Sequence, residues 1–388
     1  MILAALALPV AVVAIVLLIE RFSVPAFLAL MAVVVGYGIA TDMTFQSIGK
    51  AFGLGFVSAL EQTGLLVVAG ALVGRLMIKQ PLPAPAAALA GALAGLGGSA
   101  SGALALLQPA GRAVGPALAL LAVQALVAPS PLAVAAASVL QANIATMAWI
   151  AVPVAIVAAA AAWGLFARGN HEPGSLSLGW LAIAIPIALL IVQSIAQMPS
   201  EPLGKGGARE FYTGISKPLV LAVLAIVLAL LLSRRWRPEL LADTSWAPLL
   251  LTVGAAGGFA RVLDETGMPE LLAEYMLDPR LGLLVPFLAA ATVKTLQGNS
   301  LSAVLTATGM VEPMLPALGL DSPTGRALAA AAAGAGSIAI CHVNDPFFWI
   351  ATHMAGVTPA RGLRLIGVGS ATVALGALVL LALLRLVL

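Results

Sequence analysis

The chain has 388 residues, 61% hydrophobic and 9% charged, where a soluble globular chain carries roughly 25% charged residues. A mean hydropathy of +1.08 excludes one water-soluble core and makes the bilayer the fitting solvent. The net charge of +3 comes from scattered basic residues, which speaks against a nucleic-acid surface, and a lone cysteine, Cys341, excludes an intrachain disulfide and a Cys-rich metal site.

At about 20 apolar residues per span, the length predicts an all-α polytopic membrane protein with roughly ten to twelve spans. Residues 2–19 form the first apolar run, read as a retained helix because no basic segment precedes it. Runs 24–40 and 56–77 follow, then a break at Pro81, Pro83 and Pro85. An Ala/Gly-rich stretch reaches residue 127, interrupted at 97–102 by Gly-Gly-Ser-Ala-Ser-Gly. Most of this Gly and Ala reads simply as close helix packing. A further run ends at Phe166, residues 168–178 form a polar loop with His171, and 181–196 spans again. The longest polar loop covers 199–217; the span 219–232 ends at Arg234, Arg235, Trp236 and Arg237. Trp163, Trp180, Trp236 and Trp246 flank loops, where interfacial aromatics are expected.

Three local matches recur in the same order. Residues 70–74 (Gly-Ala-Leu-Val-Gly) match 254–258, residues 97–101 share Gly-x-Ser-x-Ser with 298–302, and Pro129-Ser130-Pro131 falls where the second half has Asn344-Asp345-Pro346. The order predicts a duplication: residues 1–167 as a first transmembrane repeat, 168–245 as connecting loops and spans, and 246–388 as a second repeat. Paired, interrupted segments in duplicated halves are the sequence sign of a secondary transporter's binding site.

Two second-half stretches are too polar for ordinary spans: Lys294 to Ser302, and Cys341 to Pro346. Polar, Gly-interrupted backbone at membrane depth is tolerated when buried in protein or lining a cavity. A helix broken at Gly298 offers backbone N–H groups and a dipole to an anion. Gln297, Gly298, Asn299, Ser300 and Asn344 are therefore the expected substrate contacts, with Ser99 and Ser101 as first-half counterparts. Thr306 and Thr308 read as hydroxyls bonded to their own helix. Lys294 is read either as functional or as snorkelling to an interface; His353 and His171 read as interfacial or loop residues. An intramembrane carboxylate is costly and usually functional, so Asp345 is the first coupling candidate, supported by His342, with Glu312 in reserve.

The strings Lys294-x-x-Gln297-Gly298, Gly309-Met310-Val311-x-Pro313-Met314-Leu315, Gly334-x-Gly336-Ser337 and His342-Val343-Asn344-Asp345-x-x-Phe348-Trp349 resemble the gluconate permease family. The likeness is strong from residue 246 onward and fainter over 46–77. It implies proton-coupled uptake of gluconate or a related sugar or hydroxy acid across the inner membrane. It also implies two inverted-topology repeats with re-entrant hairpins, and an elevator-type mechanism in a homodimer. The sequence departs from the family pattern in places. Residues 100–104 carry no acid, 127–131 carry no His, Lys294 replaces an Arg, and Glu312 replaces a small residue. The expected partners are a small organic anion, a proton or sodium ion, and lipid, with no cofactor and no metal. An anion entering a negative-inside cell is opposed by about 2.3 kcal/mol per charge per 100 mV, so uptake needs a coupled cation, with sodium the alternative to the proton. An intramembrane enzyme is the minor rival; no His-Glu-x-x-His is present.

Positive-inside bias puts Arg234, Arg235 and Arg237 in the cytoplasm and the 199–217 loop outside. In a Cys341→Ser background, cysteines placed at Ser233 and Gly207 should react with impermeant reagent from opposite faces; same-side labelling refutes this orientation.

Overall fold

Hydrocarbon offers the backbone no partner but itself, which leaves helices and closed barrels, and long uninterrupted apolar runs select the helix. The computed structural model describes residues 2–77, 81–111, 114–166, 175–233, 244, 246–267, 271, 274–275 and 277–388. Among these residues the secondary structure is helix and turn, with no strand. The first part comprises α1 (Ile2–Glu20), α2 (Ala26–Ala40), α3 (Phe45–Ala59), continued by a π turn (Leu60–Gly64) into α4 (Leu65–Met77), then α5 (Ala84–Gly95), α6 (Ala100–Leu106), α7 (Val114–Leu126), α8 (Pro131–Val139) and α9 (Ile144–Phe166). Next come α10 (Leu181–Ala196), α11 (Gly207–Ile215) and α12 (Pro218–Ser233). The last part holds α13 (Ala247–Asp264), α14 (Leu284–Gln297), α15 (Ser300–Val311), α16 (Pro323–Gly336), α17 (Pro346–Ala355), the single turn α18 (Pro359–Gly362) and α19 (Val368–Arg385).

Six helical stretches among the described residues are long and apolar enough to cross a bilayer, or seven if the pair α11 and α12, bent by 55°, is one span. The protein is thus a multi-pass membrane protein, and shorter apolar helices among the described residues, α2, α5 and α14 with them, stand beside these long ones. The 14 residues of α14 (Leu284–Gln297) rise about 21 Å, against a hydrocarbon core of about 30 Å. Trp180 is buried, a correction to its reading as interfacial: it opens α10 inside the protein. His171, Arg234, Arg235, Trp236 and Arg237 lie outside the described residues.

Two breaks share one local geometry. Gly98 (φ 69°) and Gly298 (φ 68°) adopt the left-handed conformation, which glycine reaches without the penalty a Cβ brings. Each is followed by a polar cap. Ser99 Oγ accepts from Gly102 N at the start of α6, and Asn299 Oδ1 accepts from Leu301 N and Ser302 N at the start of α15. The structural pairing therefore sets Gly98 against Gly298, one residue off the Gly-x-Ser-x-Ser match. Two further helices also start alike: Ser130 caps α8 and Asp345 caps α17, each with proline at the first helical position. The arms cross-pack, α14 and α15 against each other, α15 against α8, and α6 against α17.

The scaffold rests on α3 lying along α13. Their backbones meet at two glycines. A Cβ on Gly55 would sit 2.3 Å from the Gly257 carbonyl oxygen, and a Cβ on Gly257 would sit 2.4 Å from Ala59 Cβ. Small residues that let backbones touch are the usual membrane helix interface. Gly257→Val should therefore cost about 1–3 kcal/mol or more through overpacking. Gly53→Ala, on the same α3 but with open space at its Cβ, should be neutral or gain up to about 1 kcal/mol. Thermal unfolding in detergent checks both; equal losses refute the glycine contact.

Candidate functional site

The second break is held by charge. Lys294, in the last turn of α14, places Nζ 2.6 Å from Asp345 Oδ2, and the two side chains are 2% and 5% exposed. A second Lys294 proton goes to the Gly298 carbonyl at 3.1 Å. The other Asp345 oxygen accepts from Phe347 N at 2.8 Å, capping α17. Both charges are thus paired and hydrogen-bonded, the condition under which a buried ion pair survives desolvation. Carbonyls left over at the end of α14 are met from the same segment. Asn344 Nδ2 donates to Thr295 O and Leu296 O, and His342 Nε2 donates to Thr295 O at 2.7 Å.

The first break is held without charge. Gln124 Nε2, on α7, donates to the Gly98 carbonyl at 2.9 Å, and Gly98 N donates to Ser194 Oγ on α10 at 3.3 Å. Gln124 is itself buried. The Gln124 backbone carbonyl accepts from Ser130 Oγ at 2.6 Å, which ties the break to the start of α8.

Between the breaks lies a cavity of about 700 Å³. Residues 98–101, 131–132, 297–302 and 345–347 all line it, so the opening turns of α6, α8, α15 and α17 converge on one space. Helix N-termini carry partial positive charge and unpaired N–H groups. The caps on α6, α8 and α15 are neutral (Ser99, Ser130, Asn299), and the one acidic cap, Asp345, is balanced by Lys294. Polar amides on the other walls are Gln62, Gln193 and Gln197.

One face of the cavity has a second charge system, on α13. Arg261 forks to Asp264 Oδ2 at 2.7 Å and to Glu265 Oε1 at 2.6 Å. Asp264 Oδ1 accepts from Gln297 Nε2 at 2.6 Å, and Gln297 Oε1 accepts from Ser302 Oγ at 2.6 Å. A continuous polar chain thus runs from the end of α13 to the start of α15. Arg261 is 44% exposed and Asp264 28%, so both are accessible from the cavity they line, where Lys294 and Asp345 are sealed. Among the described residues no cluster of three or more His, Cys, Asp or Glu is placed to hold a metal ion.

The structure brings Ser99, Ser101, Gln297, Gly298, Asn299, Ser300 and Asp345 to one cavity. It does not bring Asn344, His342 or Glu312 there. Asn344 and His342 are buried against the end of α14, and half-buried Glu312 starts the short turn after α15. The snorkelling alternative for Lys294 is corrected: its amine is buried because a carboxylate meets it inside the protein. Thr308 does bond its own helix, donating to Val304 O at 2.6 Å. Sequence reasoning passed over Arg261, Asp264, Gln62, Gln124, Gln193 and Gln197. The signal was available: each glutamine interrupts an apolar run, as Asn299 does.

Comparison with known proteins adds the family. The sequence matches the GntP family permease over residues 1–90 and 166–387. It is 31% identical over 206 residues to the inner membrane permease YgbN of Escherichia coli K12, covering 50% of this chain and 44% of that protein. It is 30% identical to the low-affinity gluconate transporter of the same organism, over 50% of this chain and 46% of that one. Against the gluconate permease of Pseudomonas aeruginosa it is 26% identical over 88% of each chain. The chain thus spans about half the length of the first relatives it matches, and the unmatched residues 91–165 include the first break.

Removing one partner of a buried pair leaves a bare charge, at a cost of about 3–5 kcal/mol. Lys294→Met and Asp345→Asn should each lose stability on that scale in thermal unfolding. The double variant should lose clearly less than the sum of the two; additive losses, or a Lys294→Met protein as stable as wild type, contradict the clamp.

Proposed function

We propose that this chain, which belongs to the GntP family of permeases, is a secondary transporter that imports a small organic anion across the inner membrane by alternating access. The observation that carries the reading is the convergence of four helix starts, three of them neutrally capped, on one cavity of about 700 Å³. That volume lies within the range of small-molecule sites and leaves room for a six-carbon sugar acid. The charges lining the cavity cancel, Arg261 and Lys294 against Asp264 and Asp345, so the dipoles and N–H groups leave a net preference for an anion. Gluconate, named in two of the relatives, is the first substrate class to test, with smaller hydroxy acids beside it because the first break has only serine hydroxyls and no acid.

The two matching breaks support reading residues 1–167 and 246–388 as inverted-topology repeats, joined by 168–245, whose re-entrant hairpins turn at Gly98 and Gly298. Alternating access around such paired interruptions is the transporter pattern, here as an elevator in a homodimer. The driving ion is read as the proton, with sodium the alternative. Catalysis fits less well: the His342 ring is turned to the Thr295 carbonyl, and among the described residues no histidine lines the cavity.

The test is counterflow in proteoliposomes with labelled gluconate, glycerate and lactate. At least one acid should exchange. In the Cys341→Ser background, Ser101→Cys and Ser300→Cys should lose maleimide reactivity severalfold when that acid is present. Leu93→Cys, on the exposed face of α5, should not change. Counterflow of none of these acids, or equal protection at all three positions, rejects the assignment.

A further inference from the structure

We infer that Asp264, switched by Arg261, carries the coupled proton: the substrate carboxylate displaces Asp264 from the guanidinium, and Asp264 then takes a proton from water. The inference rests on the anion-transport reading above.

Among the described residues four charged side chains line the cavity. Two are spent. Lys294 and Asp345 are sealed at 2.6 Å, and their remaining hydrogen bonds go to the Gly298 carbonyl and Phe347 N. Releasing Asp345 would strand a buried ammonium and uncap α17, which makes it a poor cyclic carrier. The other two are partly exposed, Arg261 bonded to Asp264 and Glu265, and Asp264 bonded to Arg261 and Gln297. Arg261 is therefore the accessible cation for an incoming carboxylate, and a planar fork is well suited to one.

The charge consequence is direct. When the carboxylate takes the guanidinium, Asp264 loses its counterion and gains an anionic neighbour. Two carboxylates at one cation are relieved by one proton. That proton forms an O–H bond on Asp264 from water on the entry side, and the bond breaks to water on the exit side as the substrate leaves and Arg261 returns. One anion and one proton travel together, so no net charge crosses the membrane. Facing groups do not replace Asp264. Glu265 is on the same helix end and holds the other arm of Arg261. From α14 the facing groups are Gln297 and the paired Lys294, and from α17 the paired Asp345. On α2, Tyr37 bonds the Thr266 side chain. On α3 and its π turn, Lys50 and Glu61 are exposed and outside the cavity lining.

The chain from Asp264 through Gln297 to Ser302 also gives the switch a reach. Protonating or turning Asp264 changes what holds the Gln297 amide, and with it the start of α15. Substrate and proton occupancy are thereby reported to the second break.

The test is calorimetric titration of the purified full chain with gluconate, glycerate and lactate. It is run in two buffers of different ionisation enthalpy, to count protons taken up, and repeated across pH 6–8. Wild type should take up close to one proton per anion, and its affinity should rise toward low pH by up to about tenfold per unit, the limit for one linked proton. Asp264→Asn should bind with no proton uptake and a flat pH profile. Asp264→Glu should restore uptake, and Arg261→Gln should weaken binding at least tenfold. Proton uptake unchanged in Asp264→Asn overturns the inference. Binding by wild type without proton uptake overturns it too, while leaving anion transport standing; no binding of any of the acids rejects both. If Asp264→Asn does not fold, the gluconate-induced infrared difference spectrum decides. A carboxylic-acid band that shifts in Asp264→Glu supports the assignment, and an unshifted band overturns it.

Discussion

Everything at the second break depends on one buried pair, Lys294 with Asp345. The amine closes the end of α14 by reaching the Gly298 carbonyl, while the carboxylate starts α17 by holding Phe347 N. Two helix ends that would otherwise expose orphan backbone groups in a low-dielectric interior are satisfied by one interaction. Its strength comes from burial, since Coulomb attraction grows as water is excluded, and its cost is met because few lone pairs or protons are left over. The amides and imidazole around it, from Asn344 and His342, close the remaining carbonyls of α14.

The first break has the same backbone turn and a different anchor. Gln124 and Ser194 hold Gly98 through neutral bonds, each worth about 0.5–1.5 kcal/mol net. The cavity thus has one wall tied by charge and one tied by dipoles. The family match covers residues 1–90 and 166–387, which hold the charged break, and leaves out 91–165, which hold the neutral one.

Much of this is legible in the amino-acid sequence. Composition gave the membrane class, and the polar stretches around Gly298 and Asp345 gave the breaks, because polar residues inside apolar runs are costly. Pairing was not legible. Lys294 and Asp345 are 51 residues apart, and a single sequence does not say that a lysine's partner is inside the protein and not at an interface. An asparagine in a membrane segment reads as a binding group, and the structure places the Asn344 amide donors on the Thr295 and Leu296 carbonyls. Arg261 and Asp264 were missed because charges three residues apart at the end of an apolar helix look like an ordinary interfacial boundary.

The clamp also constrains how this chain can change over generations. A buried ion pair cannot be dismantled one codon at a time without passing through a protein with an unpaired charge in its core, so the two positions are locked into inheriting each other. The permitted single step is one that keeps the charge. Exchange of Lys294 for arginine would be such a step: it would keep the cation and bring a planar fork to the place where one ammonium now serves both Asp345 and the Gly298 carbonyl.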